Sequence, residues 1–531
     1  MSAAAPKWMD VANNTHPRWH RDPALRMNVF YGLGMCLLIA TNLDALAVGG
    51  GLMQGFQAIP AWQKFFNFPK GARLGLYSAA YFLPSVPSAF LGDWISTKYG
   101  RRACIAAGMA FVFVGTLINA LAINVGMWIG GRATIGVGIG MSKVAAPVLI
   151  QEIAHPRLRP ILGSCYQTFA YIGSIGAALL TFAGLYIPGN WSWRYSSLMQ
   201  ILGPGMILPI LWFCPESPRW LMKQGKVSEA HQMLATYHAN GDMEDPLVQL
   251  ELREINAALE REAKMQQVSF MDFTRTPGNR KRLGVLILMA FSLNWMGNGI
   301  ISYYLAPILR SVGITEPIKI TLINVGLAIF NLIVAVTSSV NVDRFGRRPL
   351  FLVAVVGMFL TFATIMGLSA GFAMTKKSAV GAAVVPFLFI YFGFYSSAFT
   401  PLPVAYTVEI MPFNLRSKGV ALFTAIATLG NAFNQFVNPI ALGEIGWKYY
   451  AVYLGILSFY FVIIFLFFPE TKRMSAEDAS IVFDQPHRLG GGMFEGRGRG
   501  SSANDTEVVD MDDAGSDVKG NDIFVDEQKR A

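Results

Sequence analysis

The chain has 531 residues, of which 53% are hydrophobic, 13% aromatic and only 14% charged, and its net charge is +10. Its mean hydropathy is +0.41. Soluble domains average about 25% charged residues, so this composition excludes a disordered chain, a collagen-like one and an ordinary cytosolic enzyme. The charge is also concentrated: 20 of the 76 ionised side chains lie in residues 215–282 and 22 in residues 469–531. The surplus of Lys and Arg therefore marks loop ends and not a nucleic-acid surface.

A helix that crosses a bilayer needs about 20 mostly apolar residues. In chain order such windows fall at 28–53, 74–96, 103–125, 127–149, 160–186 and 197–214, then at 283–307, 318–342, 349–372, 381–407, 418–441 and 448–468. The runs are too long and too continuous for barrel strands. They predict an all-α membrane protein with twelve transmembrane helices in two six-helix halves, residues 28–214 and 283–468. Residues 1–27 form a tail without the apolar core of a signal peptide. Residues 215–282 form a loop whose stretches Ser228–Tyr237 and Pro246–Met265 carry apolar residues at helical spacing, which predicts short amphipathic helices. Residues 469–531 form a second tail, rich in Gly, Ser and Asp from about Gly490 onward, with the composition of a disordered segment.

Orientation is read from the basic residues. The short loops of the two sides carry 10 and 9 of them, which decides nothing. Lys7, Arg18, Arg21 and Arg26 in the first tail, and Arg280, Lys281 and Arg282 at the end of the central loop, favour the cytoplasm. Both termini are then cytosolic, and a multi-pass plasma-membrane protein is expected. The four cysteines, Cys36, Cys104, Cys165 and Cys214, sit in apolar runs and give no disulfide framework. The six histidines, His16, His20, His155, His231, His238 and His487, have neither metal-ligand spacing nor a triad arrangement, so neither a cofactor nor an enzyme is expected. Asn190-Trp191-Ser192 is a glycosylation sequon close to a membrane end.

The two halves repeat. Gly100-Arg101-Arg102 returns as Gly346-Arg347-Arg348, 246 residues on. Glu152 and Arg159 return as Glu409 and Arg416, 257 residues on, and Pro215-Glu216-Ser217 returns as Pro469-Glu470-Thr471, 254 residues on. Three motifs in one order point to a duplicated six-helix unit, the arrangement of transporters whose solute site lies between the repeats. Asp93, Arg101, Arg102, Glu152, Arg159, Glu216 and Arg219 in one half, and Asp343, Arg347, Arg348, Glu409, Arg416 and Glu470 in the other, fall at predicted cytoplasmic helix ends. Carboxylates suit helix N-termini and arginines C-termini. The set predicts a breakable latch, with plain topology anchoring as the simpler alternative.

Asp343-Arg344-Phe345-Gly346-Arg347-Arg348, Gly131-Arg132 with Gly136, Gly138 and Gly140, Pro215-Glu216-Ser217-Pro218-Arg219-Trp220-Leu221 and Pro469-Glu470-Thr471-Lys472 resemble the sugar porter family of the major facilitator superfamily. The resemblance covers roughly residues 28–480. Gly297-Asn298-Gly299 with Ser302-Tyr303-Tyr304, and Ala405-Tyr406-Thr407-Val408-Glu409-Ile410, are similar to the fungal lactose and cellobiose permease branch. The family implies uptake of a sugar, often with a proton; a monomer in the bilayer, with no nucleic-acid partner, is expected. A non-transporting sugar sensor, or a carrier of a polyol or quinate-like solute, would share these features.

The resemblance also implies site residues. Gln167 stands where the family's sugar-binding glutamine does, eight residues after Arg159. Asn294 retains one of a usual pair of glutamines in span 7, whereas Leu293 replaces the other; Asn298 neighbours the usual asparagine position, taken here by Gly299. Tyr303 and Tyr304 are expected to close the outer side of a cavity or to form an interfacial belt, and Asn331 matches a polar position of span 8. Asn431, Asn434 and Asn438 share one helical face of span 11 and suggest a lined cavity. Val404 replaces the family's tryptophan, Thr97 its first acidic residue (with Asp93 one turn away), and Pro160 a usual glycine; the last has no functional reading. The acid of proton-coupled members aligns with Gly49. Asp44, Arg132 and Lys143 are intramembrane charges, which are usually functional, and Asp44 is expected to pair with Lys143 or Arg132.

Overall fold

The computed structural model describes residues 11–41, 51–265, 269–400, 402–412 and 415–471, and no strand occurs among them. The side chains of residues 160, 164, 167, 261–265, 339–345 and 417 are also outside the description. In chain order the helices of the first half are α1 (Pro23–Thr41), α2 (Leu52–Phe56), α3 (Pro60–Phe65), α4 (Gly71–Tyr99), α5 (Arg101–Ala120), α6 (Val125–Ile153), α7 (Arg159–Gly184), α8 (Trp191–Leu198) and α9 (Leu202–Phe213). The connecting segment holds α10 (Pro218–Lys223), α11 (Val227–His238), α12 (Pro246–Met265) and α13 (Asp272–Arg275). The second half has α14 (Pro277–Trp295), α15 (Asn298–Ser311), α16 (Pro317–Phe345), α17 (Arg347–Thr375), α18 (Ser378–Ala382), α19 (Val384–Ala398), α20 (Leu402–Ile410), α21 (Arg416–Ile445) and α22 (Tyr450–Phe467).

Among the described residues, ten helical stretches are long and apolar enough to cross a membrane by length and composition. One of them, Lys418–Phe467, contains most of α21 and all of α22. The apolar residues form two buried cores. One is centred on α1 and α4–α7, the other on α14–α17 and α19–α22. Exposed Phe, Leu and Val side chains such as Phe90, Leu360 and Phe467 stud the outside, as a lipid-facing surface requires.

The motif glycines make the sharp links between helices. Gly100 has φ +102° and Gly346 φ +94°, a region that side chains with a Cβ avoid. A Cβ on Gly100 would also lie 2.4 Å from a Glu216 carboxylate oxygen. That carboxylate accepts from the backbone N–H groups of Arg101 (3.1 Å) and Arg102 (3.2 Å), which are orphan donors at the start of α5. Glu470 does the same for Arg347 (3.0 Å) and Arg348 (3.1 Å) at the start of α17. The sequence repeat is thus a repeat of helix capping.

The helices α10–α12 dock on the first half. His238 is fully buried, with Nδ1 2.5 Å from Glu251 and Nε2 3.1 Å from the Ile153 carbonyl. Glu251 also meets Arg159 at 3.3 Å. The chain before α1 ties onto the same platform, with the Asn14 N–H donating to Asp245 (2.7 Å) and Asn240 Nδ2 donating to Asp22 (3.0 Å).

The halves meet through α4 against α21, α7 against α16 and α2 against α15. Point contacts between them lie toward the end opposite the termini. Gln57 donates to the Tyr303 carbonyl at 2.8 Å, Arg310 reaches the Ala58 carbonyl at 3.5 Å, and Gly75 lies against Phe436. At the terminus end α6 packs chiefly on first-half helices, and α20 chiefly on α14 and α21.

Candidate functional site

The site begins with a break in a helix. Gly297 has φ +101° and separates α14 from α15, and a Cβ there would lie 3.0 Å from Phe362. A second departure follows at Tyr304, with φ −127° and ψ 29°. These breaks turn Asn294, Asn298, Tyr303 and Tyr304 inward, and all four are buried. Tyr303 and Tyr304 are therefore interior residues, not an interfacial belt. Tyr304 donates to the Gln435 carbonyl at 2.6 Å.

A belt of polar side chains runs across the middle of the bundle. Ser396 of α19 donates to Asn331 of α16 at 3.4 Å. Tyr171 of α7 brings its hydroxyl beside those of Thr400 and Ser396, so the belt spans both halves. Tyr395 lies near Tyr171, Tyr303 and Asn298, and donates to the Leu293 carbonyl at 2.9 Å. Asn431 reaches the Tyr303 hydroxyl at 3.5 Å.

Several buried atoms of this belt have no hydrogen-bond partner among the described residues: Asn298 Oδ1, Asn331 Nδ2, Asn431 Oδ1, Gln435 Nε2, Thr400 Oγ1 and the Tyr171 hydroxyl. Buried polar groups are normally satisfied. A row of unspent amides and hydroxyls between two halves fits a solute that brings its own hydroxyl groups.

The predicted residues divide. Asn298, Tyr303, Asn331 and Asn431 join the belt. Asn294 is committed to the Ala427 carbonyl at 3.0 Å. Asn438 donates to Asn434 (2.6 Å) and accepts from Tyr449 (2.9 Å) and Tyr453 (2.6 Å), so the expected cavity-lining pair instead ties α21 to α22. The shared face was real, but its outer two amides meet tyrosines. Gln167 lies in α7, but its side chain, that of Asp343 and the whole of Asp44 lie outside the described residues. Tyr171, Tyr395, Ser396 and Thr400 were missed. Tyr171 had a signal, being four residues after Gln167 and so on the same helical face.

The predicted latch residues form clamps within each half. Arg101 grips Glu152 with both ends of its guanidinium, at 2.9 and 3.2 Å, and Arg347 meets Glu409 at 3.1 Å. Arg102 holds the Leu211 and Trp212 carbonyls (3.2 and 2.9 Å) at the end of α9, and Arg348 the Phe465 carbonyl near the end of α22. Asp93 does not join the clamp. It is exposed and has no ion pair among the described residues, because the carboxylates of Glu152 and Glu216 already surround Arg101. Arg159 turns to Glu251 of the docked helices. Arg219 and Arg416 make interactions of their own. Burial pushes the Glu216 carboxyl up, against the pull of its N–H donors.

Of the intramembrane charges, Arg132 is buried, its guanidinium 5.0 Å from the Trp128 ring centre and 5.9 Å from that of Tyr81. Lys143 is exposed.

The family model described as "Sugar (and other) transporter" matches residues 49–483. The chain belongs to the sugar porter family of the major facilitator superfamily. Among its family relatives, a glucose transporter of Aspergillus flavus is 26% identical over 475 residues, covering 82% of this chain and 88% of that protein. A low-affinity glucose transporter of Saccharomyces cerevisiae is 26% identical, with coverages of 84% and 81%. The fold matches the inward open conformation of the xylose transporter XylE from E. coli with a TM-score of 0.69, at 20% identity, covering 86% of this chain and 99% of that one. These sugar porters are transporters, not enzymes.

Proposed function

We propose that this sugar porter moves a sugar across the plasma membrane by alternating access between two six-helix halves, with twelve crossings and both termini in the cytosol. In this reading residues 28–214 and 283–468 are the moving halves, residues 215–282 a cytosolic platform, and the flanking tails cytosolic. The observation that carries it is the belt from Tyr171 to Asn431. It crosses the interface between the halves, and several of its buried donors and acceptors are unspent. Contacts between the halves lie toward the end opposite the termini, so the belt is reached from the terminus end. The solute is a hexose or a disaccharide such as lactose or cellobiose. Val404 stands where many relatives have tryptophan, and the smaller side chain suits the larger of these.

Uptake of labelled lactose, cellobiose and glucose is to be measured in a transporter-deficient host at pH 5 and pH 8, with and without a protonophore. Uptake of one of them supports the reading. Collapse with the protonophore assigns proton symport and makes Asp44 the first residue to mutate; insensitivity assigns uniport. No uptake by a correctly localised protein overturns transport of these sugars and favours the sensor.

A further inference from the structure

The polar belt has a neighbour further out along the same helices. Asn324 of α16 is 2% exposed, and neither its Oδ1 nor its Nδ2 has a hydrogen-bond partner among the described residues. The helices that pack most on α16 are α7 and α19, then α17 and α15. Toward the end opposite the termini each of these is described to its side chains, so none of them supplies the missing partner.

Such a group is a net cost. A buried amide gives up its bonds to water, and without replacements that loss is uncompensated. Leucine has nearly the same volume and would remove the cost. Buried unsatisfied groups are rare in native proteins, and a chain tends to keep a locally unfavourable residue where function needs it.

Its place in the fold gives the use. Helix α7 starts at the terminus end, where Arg159 meets Glu251, and α16 finishes there, just before the Arg347 clamp. Asn331 and Tyr171 both adjoin Ser396 in the belt. Seven residues turn a helix to within about 20° of two full turns and advance it about 10 Å. Asn324 therefore lies two turns outward of Asn331 on one stripe of α16, and Ala178 two turns outward of Tyr171 on one stripe of α7. Ala178 is buried and has no polar group to offer the amide. On α15, which also packs on α16, Ser302 stands one turn outward of Asn298. Ser302 is buried, and its Oγ has no partner among the described residues. Asn324 and Ser302 make a second polar tier, about 6–10 Å outward of the belt.

The α7–α16 contact that covers this tier joins the two halves. When the ends opposite the termini part, as alternating access requires, the tier is uncovered before the belt because it lies nearer that end. We propose that Asn324 and Ser302 form an outer waystation, which takes hydroxyl groups of a neutral sugar before the belt does. The amide supplies both donors and an acceptor, and the serine hydroxyl either. This rests on the transport reading above and adds a site to it.

The test uses the full-length protein in a transporter-deficient host, with whichever of labelled glucose, lactose and cellobiose the wild type takes up. Asn324→Leu should keep or raise the melting temperature in detergent, because no hydrogen bond is lost. It should nevertheless slow uptake at low sugar concentration about five-fold, the worth of one neutral hydrogen bond. Ser302→Ala should slow it in the same direction. Asn324→Cys should react with a membrane-impermeant maleimide added outside the cell, above the labelling of the four native cysteines in the wild type, and the sugar should slow that reaction. Uptake by Asn324→Leu at the wild-type rate overturns the proposal. So does an Asn324→Cys that is not labelled from outside, or one whose labelling the sugar does not slow, which would make the tier a site for water only. A lowered melting temperature of Asn324→Leu would return the amide to packing and overturn it as well. If the wild type takes up none of the three sugars, the transport reading fails and this proposal with it.

Discussion

At the end opposite the termini, the two halves press backbone against backbone. A Cβ on Gly75 of α4 would lie 2.6 Å from the Phe436 carbonyl of α21, across the interface. At the terminus end the strongest interactions stay inside one half. Arg101 pairs with Glu152 there, Arg347 with Glu409, and Glu216 and Glu470 each cap a helix of their own half. One end is joined by packing that depends on a missing methyl group, the other is stiffened by charge. Packing of this kind is lost over a fraction of an ångström, so it can serve as a seal that opens in one step. Ion pairs confined to a half survive such a step and keep each half a rigid body.

The largest effect should come from breaking the seal. Gly75→Val inserts an isopropyl group where even its Cβ does not fit. Overpacking typically costs about 1–3 kcal/mol, too little to unfold the chain but enough to hold the halves apart. Uptake is expected to fall more than about ten-fold, since 1.4 kcal/mol is a factor of ten, while surface expression is kept. Normal uptake would mean that this contact does not gate. The clamps come next. Glu152→Gln and Glu409→Gln should each lower stability by roughly 1–3 kcal/mol, the range for hydrogen bonds to charged groups. Because the two clamps share no partner, the losses should add in the double variant. A non-additive double variant would show that the clamps communicate across the halves.

This contrast also marks what could be read from the sequence. The helical spans, the duplication and the clamp residues were legible because each rests on a local requirement. Apolar runs need about 20 residues to cross, Gly100 and Gly346 need positive φ, and Glu216 and Glu470 sit beside the orphan N–H groups that they cap. The site was legible only in part. Asn431, Asn434 and Asn438 share a face in sequence, but nothing local says that Tyr449 and Tyr453 take the last two. Tyr171 and Ser396 are 225 residues apart and acquire a common role only when α7 meets α19 and α16. Asp93 looked like a substitute carboxylate one turn from Thr97, but the occupancy of Arg101 by Glu152 is a tertiary fact.

The α21–α22 tie gives a prediction on the packed side of the comparison. Asn438→Ala removes an acceptor from Tyr449 and Tyr453 and a donor to Asn434, all buried. Leaving buried hydroxyls unpaired costs about 1–3 kcal/mol, and a lower melting temperature is expected with KM for the solute unchanged. A raised KM at unchanged stability would return Asn438 to the binding surface.

The smallest effect lies at the charged end, where pH should loosen the platform that α10–α12 make on the first half. Burial, with His238 beside it, pushes the His155 imidazole down from 6.5 to about 4. The folded chain therefore holds His155 neutral while the unfolded chain takes up a proton below its ordinary value. The stability this provides is complete above about pH 6.5 and declines as the pH falls toward 4. The loss by pH 6 is on the order of 1 kcal/mol. Glu251 titrates in a separate window. Burial would push it up, but His238 and Arg159 outweigh that and hold it below its ordinary value. Its share is present above about pH 4.5 and is lost only as the pH falls through its lower folded value. Thermal unfolding followed from pH 7.5 to pH 6 should show the decline in the wild type, and His155→Gln should flatten it. A decline of equal size in the variant would place the titrating group elsewhere, and no decline in either would mean that His155 is reached by water in solution.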